Sequence, residues 1–187
     1  LPFIFDSNEK VDKIINGPIG QKLSTVLPGT SIRVLAFPEN GYRNISNNKH
    51  EIKSVDDMQG LKIRAMETPV HLKTFEALGA IPTSVPFPEV YSALQTKMID
   101  AQENANSLFV TSKYYEVQPF YTIPGPLFLL DMTIINDHFF NSLTPEQQKI
   151  IQESAVEAAE YQRTINRQEN ESVLESFPEL NVKITYL

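Results

Sequence analysis

Apolar Leu61, Ile63 and Ala65 alternate with Lys62, Arg64 and Met66, which is the period of a strand. Helical spacing flanks it. Ser54 and Asp57 have capping-box spacing and open one helical turn that Gly60 ends. After the strand, Thr68 as N-cap and Pro69 as first helical residue open a helix with an apolar stripe of Leu72, Phe75 and Leu78, stopped by Gly79. Ile81 to Val85 is short and extended. Pro88 opens the next helix, with Val90, Tyr91 and Leu94 inward, and Met98 and Ile99 form a brief extended segment before Asp100-Ala101-Gln102-Glu103-Asn104.

Around this stretch the pattern is less regular. Asp6-Ser7-Asn8 starts a helical segment through Val11, Ile14 and Ile15, interrupted at Gly17-Pro18 and resumed to about Leu27. Ser31 to Phe37 reads as a buried strand. Asn40-Gly41 marks a turn, Gly41 to Ile45 a second extended segment carrying Arg43, and Asn44 to His50 a solvated polar run. Val117 to Ile123 and Leu127 to Ile135 are extended stretches broken by Pro124-Gly125-Pro126. Asn141 to Leu143 lead into the clearest helix, with Thr144 as cap, Pro145 at its first position and Gln147 closing a capping box. Its apolar spacing carries it to about Leu174, roughly 45 Å at 1.5 Å per residue, and Asn181 to Tyr186 forms a last strand.

Helices and strands alternate from Asp57 to Asn104, which predicts an α/β sheet with helical crossovers. Ligands of such sheets gather at the carboxyl ends of strands, beside helix starts. Arg64 lies near one such end and Gln102 to Asn104 just beyond another, so the two can converge. A cation inside an apolar alternation marks a place where a small anion is received. Asp56 and Asp57 are neighbours on a helical turn and point in different directions, which favours capping over a catalytic pair.

Composition narrows the function. The 187 residues suffice for one domain or two small lobes, and 41% are hydrophobic. A net charge of −7 gives no global field for nucleic acid or an anionic membrane, so an anionic ligand needs a local cationic spot. Absence of cysteine excludes a thiol nucleophile, disulfides and thiolate-bound metal, and fits a cytosol or a periplasm. His50, His71 and His138 are far apart, show no metal spacing and read as structural. The longest apolar runs are far too short to span a bilayer. Leu1 to Phe5 matches neither a signal peptide nor a natural start, so the chain reads as processed or a fragment.

GYR (41–43), DDMQGLKIRAMETPV (56–70), ALGAIPTSVPFPEVYSALQT (77–96) and DAQENAN (100–106) stand in the order and at the spacing of known motifs. Together they resemble the DctP-type solute-binding proteins of tripartite ATP-independent periplasmic (TRAP) transporters. LPFIF and the LTPEQQKIIQESAVEAAEYQR helix extend the resemblance over nearly the whole chain. It implies an α/β, periplasmic-binding-protein-like two-lobed fold with mixed sheets and a long lobe-spanning helix, the first lobe being incomplete. Residues 1–40 would be a remnant of lobe I, 41–123 lobe II with the ligand clamp, 124–143 the strands returning to lobe I, and 144–187 the long helix and C-terminal strand.

The resemblance also implies a role: periplasmic capture of a small organic acid (a C4-dicarboxylate, keto acid or sugar acid) by lobe closure, and delivery to membrane permease subunits. No reaction, cofactor or metal is implied. Arg64 matches the carboxylate-gripping position, Arg43 a second cationic position, Asn104 a ligand-bonding amide and Phe87 an aromatic wall, while Met66 and Glu67 adjoin Arg64. The plainer readings are a surface residue or ion-pair partner for Arg64, a solvated charge for Arg43, a hydrophobic staple for Phe87 and a helix cap for Asn104. A ligand sensor of the same fold is the alternative role, and an enzyme acting on organic acids finds no nucleophile or phosphate-loop signature. Three positions depart from the family. Ala101 and Lys97 stand where Gly is usual, and Pro124-Gly125-Pro126 occupies a region where the family commonly carries a His. For Lys97 the expectation is a helix end that avoids positive φ.

Overall fold

A computed structural model describes residues 2–187. In chain order the elements are α1 Asn8–Ile15, α2 Pro18–Leu23, β1 Ile32–Ala36, β2 Glu39–Asn47, β3 Lys62–Ala65, α3 Pro69–Ala77, β4 Ile81–Ser84, α4 Val90–Gln95, β5 Ala101–Asn104 and α5 Asn106–Thr111. Then follow β6 Phe120–Leu130, β7 Thr133–Asn136, α6 Asp137–Ser142, α7 Pro145–Ser172 and β8 Lys183–Tyr186. The chain divides into two units, one of residues 42–128 and 169–187, the other of residues 3–41 and 129–168.

The first unit contains most of a six-stranded mixed sheet in the order β4-β3-β5-β2-β6-β8. Strand β3 runs parallel to β4 and β5, β2 antiparallel to β5, and β6 parallel to β8. One apolar cluster joins Ile45, Ile63, Ala65 and Ala101 to Phe75 and Leu72 of α3. The other gathers Val85, Val90, Leu94, Phe109, Tyr121 and Phe177. Within it the Phe109, Tyr121 and Phe177 rings meet at centroid distances of 4.7 to 5.3 Å, edge-on or tilted as ring quadrupoles prefer.

In the second unit β1 pairs antiparallel with β7, Arg33 opposite Ile135. Arg167 of α7 donates to both carboxylate oxygens of Asp12 at 2.8 Å and to those of Glu39 at 2.9 Å. Gln162 closes both ends of the Glu39 peptide, accepting from its N–H and donating to its carbonyl at 2.9 Å each. Helix α7 has 28 residues, about 42 Å at 1.5 Å per residue. It starts at the predicted box, where Thr144 and Gln147 each accept from the other's backbone N–H.

Several expectations are corrected. Asn40-Gly41 is not a turn and Asn44 to Asn47 are not solvated, because both lie in β2 and Asn44, Ser46 and Asn47 are buried. Distant side chains satisfy the first two of these polar groups: Asn44 Nδ2 donates to Asn106 Oδ1 at 2.8 Å, and Ser46 Oγ accepts from Gln102 Nε2 at 2.7 Å. The extended segment at Met98 and Ile99 moves on by two residues, since Ala101–Asn104 is itself the strand. Lys97 does adopt the left-handed conformation, with φ 59°, so the helix ends there in the way glycine usually provides. Pro124-Gly125-Pro126 does not break β6. The ladder to β8 covers only Phe120 to Ile123, so on that side the prolines fall past its end. Helix α2 stops at Leu23, and Val26 instead bridges to Arg33. Asp137–Ser142, with Asn136 capping Phe139 N at 3.0 Å, forms a short helix just after the expected extended stretch, where the pattern assigned no element.

Candidate functional site

Strand β3 ends where α3 begins, so its last residues sit beside a helix N-terminus, and Arg64 is one of them. The side chain is only 6% exposed. Its Nε donates to the Val85 carbonyl at 3.0 Å, which fixes the guanidinium plane against the segment after β4. Among the described residues Arg64 makes no ion pair, and its terminal nitrogens are unengaged. Burial lowers its pKa, Glu103 opposes that shift and Arg43 adds to it. A guanidinium stays protonated regardless, so a nearly buried cation has its two outer donors in hand.

Asn104 closes β5 and is buried. Its Oδ1 accepts from Ala105 N at 3.1 Å, and among the described residues its amide nitrogen makes no hydrogen bond. Ile63 pairs with Ala101 in the parallel register, so Arg64 projects to the same sheet face as Gln102 and Asn104. Asn104 also stands opposite Asn44. Gln102 is fully buried, its Nε2 on Ser46 and its Oε1 without a partner.

Arg43 has a different setting. It is 3% exposed, which removes the solvated-charge reading. Its Nε and Nη2 grip the two carboxylate oxygens of fully buried Glu103, the Nη2 bond being 3.0 Å, and Nη2 also donates to the Glu103 carbonyl at 2.9 Å. This two-pronged geometry is the strong form of an ion pair. Gly125 packs against the same stretch: a Cβ there would lie 1.7 Å from the Arg43 carbonyl oxygen, and its N–H donates to Asn44 Oδ1 at 2.7 Å.

His71 joins this cluster, which the sequence reading did not foresee. Its backbone N–H is capped by Thr68 at 3.4 Å, its ring is buried, and Nδ1 lies 4.0 Å from Glu103 Oε1 without a hydrogen bond. Burial lowers its pKa, Glu103 opposing and Arg43 reinforcing, so the ring is neutral at neutral pH. The available signal was position: His71 lies in the first turn of the helix that follows the Arg64 strand. Glu103 was visible in DAQEN, but its partner lies 60 residues away.

Phe87, Met66 and Glu67 are not joined to Arg64 by any hydrogen bond or ion pair among the described residues. Phe87 is 47% exposed in the turn Phe87–Glu89, two residues beyond Val85. Met66 is half-buried and Glu67 exposed. A cavity of about 550 Å³ lies in the second unit, lined by Leu35, Phe37, Gln152, Val156 and Arg163 among others, and contains none of these residues. Among the described residues no cluster of three or more His, Cys, Asp or Glu could hold a metal ion, and no helix is long and apolar enough to cross a membrane.

Residues 1–187 match DctP, the bacterial extracellular solute-binding protein family 7. The chain belongs to this family. Among DctP relatives it is 34% identical over 184 residues to the 2,3-diketo-L-gulonate-binding periplasmic protein YiaO of Escherichia coli, covering 98% of this chain and 56% of that one. It is also 34% identical over 176 residues to the C4-dicarboxylate-binding periplasmic protein DctP of Rhodobacter capsulatus, covering 94% and 53%. The crystal structure of the sugar acid binding protein DctPAm from Advenella mimigardefordensis in complex with galactonate superposes with a TM-score of 0.92 at 39% identity, covering all of this chain and 60% of that one. The chain thus spans little more than half the length of the curated relatives it matches. The family is one of solute-binding proteins, not enzymes.

Proposed function

We propose that the complete protein is the periplasmic solute-binding component of a TRAP transporter, taking a small organic acid at Arg64 and delivering it to membrane permease subunits. The observation that carries this reading is the contrast between two buried arginines. Arg43 is neutralised by Glu103, whereas Arg64 makes no ion pair among the described residues and has free outer nitrogens. A guanidinium's planar fork can give two parallel hydrogen bonds to one carboxylate, a geometry lysine lacks. The acids named for the relatives above, a diketogulonate, C4-dicarboxylates and a galactonate, all present such a group.

A hydrogen bond to a charged group contributes about 1.5–3 kcal/mol, and micromolar affinity needs about 8 kcal/mol, so Arg64 does not act alone. The Asn104 amide supplies a neutral donor on the same sheet face, Phe87 an apolar wall, and Met66 and Glu67 flank the cation. Arg43 shapes the site through Glu103. The test is calorimetric titration of the complete protein with its native acid. Arg64→Lys is expected to weaken binding at least tenfold, about 1.4 kcal/mol or more. Unchanged affinity would remove Arg64 from the site.

A further inference from the structure

A line of amide hydrogen bonds runs through the interior of the first unit. Asn106 Nδ2 donates to the Asn170 carbonyl at 2.7 Å. Its Oδ1 accepts from Asn44 Nδ2 at 2.8 Å and from the Tyr121 hydroxyl at 2.7 Å. Asn44 Oδ1 in turn accepts from the Gly125 N–H at 2.7 Å. Asn44, Asn106 and Tyr121 are all buried. A backbone group stands at each end of the line, a carbonyl at Asn170 and an N–H at Gly125, so neither amide can turn over without losing a partner. Burial raises the Tyr121 pKa, so that hydroxyl keeps its proton and donates.

The line passes beside the candidate site. Asn44 pairs with Asn104 in the antiparallel register, so the two side chains leave the same sheet face with Cβ atoms about 4.5–5.5 Å apart. Two amides so placed can hydrogen-bond each other. They do not. Both polar atoms of Asn44 are taken, by Asn106 and by Gly125, and among the described residues the Asn104 amide nitrogen makes no hydrogen bond.

We propose that Asn106 is a positioning residue of this site. By holding Asn44 through its own Oδ1 it keeps that amide off Asn104, whose Nδ2 stays open to a ligand oxygen. The inference rests on the reading of Asn104 as a ligand donor given above. Both polar atoms of Asn106 are spent inside the unit, so it acts through Asn44 rather than on a ligand. Released from Asn106, the Asn44 amide takes its cross-strand neighbour Asn104 as partner.

The test is calorimetric titration of the complete protein with D-galactonate, D-glucuronate and succinate, continued with the acid that the wild type binds most tightly. Asn104→Ala and Asn106→Leu are each expected to weaken binding about fivefold, the loss of one neutral hydrogen bond. Asn44→Ala added to Asn106→Leu removes the competing amide and is expected to restore affinity to within about twofold of the wild type, a non-additive pair. A merely structural role predicts the reverse, because the double variant loses more of the hydrogen-bonded line. Unchanged affinity in Asn106→Leu, or no rescue in the double variant, overturns the inference and leaves the carboxylate reading of Arg64 standing. Unchanged affinity in Asn104→Ala removes Asn104 from the site, and this inference with it. Binding of none of the three acids overturns the organic-acid reading as well. Should Asn106→Leu fail to fold, Asn106→Ala takes its place. Should both fail, a crystal structure of the wild type with the acid bound decides: Asn104 Nδ2 on a ligand oxygen is expected, and Asn104 hydrogen-bonded to Asn44 overturns the inference.

Discussion

Lys97 holds φ 59° at the residue after the Thr96 C-cap, with its N–H on the Leu94 carbonyl at 3.1 Å. A residue with a Cβ pays about 1–2 kcal/mol for the left-handed region, while glycine loses about 0.5–1 kcal/mol more backbone entropy on folding. Lys97→Gly is therefore expected to stabilise the fold by about 0.5–1 kcal/mol. It would show as a higher denaturant midpoint at unchanged slope, and a lower midpoint would mean that the lysine side chain supplies something glycine cannot. At the same scale, the two arginines show what sequence can and cannot reveal. Arg64 stood out because it falls in an apolar alternation and matches the arginine position of the family's motif, since a lone arginine in a strand is more often a surface residue. The state of Arg43 was not, because its partner Glu103 is 60 residues away and reaches it only once β2 and β5 are side by side.

Between elements, the tightest constraint near the cluster is the approach of β6 to β2 at Gly125. A methyl there would sit 1.7 Å from the Arg43 carbonyl oxygen and 2.8 Å from Asn44 Cα, both backbone atoms that cannot swing aside. Gly125→Ala is expected to destabilise the protein by about 1–3 kcal/mol, the range for inserting a methylene into a filled interior. Chemical denaturation measures this, and an unchanged midpoint would mean that the two strands separate freely. Elements whose signals are local were legible: β3, the Thr68-capped α3 and the Thr144-capped α7 follow from periodicity and caps. Elements held by distant partners were not. β2 and β5 carry polar side chains that hydropathy assigns to solvent, yet Asn106, Ser46, Gln118 and Arg43 answer them inside the unit. The continuity of β6 was hidden by its prolines, which fall just past the end of the β8 ladder.

At the scale of the whole molecule, each unit is assembled from separate stretches of chain, and the candidate residues lie entirely in the one that holds residues 42–128. A net charge of −7 makes these buried cationic and neutral donors a local exception rather than part of a basic surface. The family assignment and the mixed α/β architecture stand on the full-length match and the structural superposition. Three of the motifs that carried the resemblance, between Asp56 and Asn106, fall in the segment that builds β3, α3, β4, α4 and β5. The most direct test of the carboxylate grip is a crystal structure of the complete protein with its acid bound. The account predicts one carboxylate on the two terminal nitrogens of Arg64 at about 2.7–2.9 Å, with Arg43 still on Glu103. A carboxylate seated on Arg43, or one that leaves the Arg64 nitrogens empty, would contradict it.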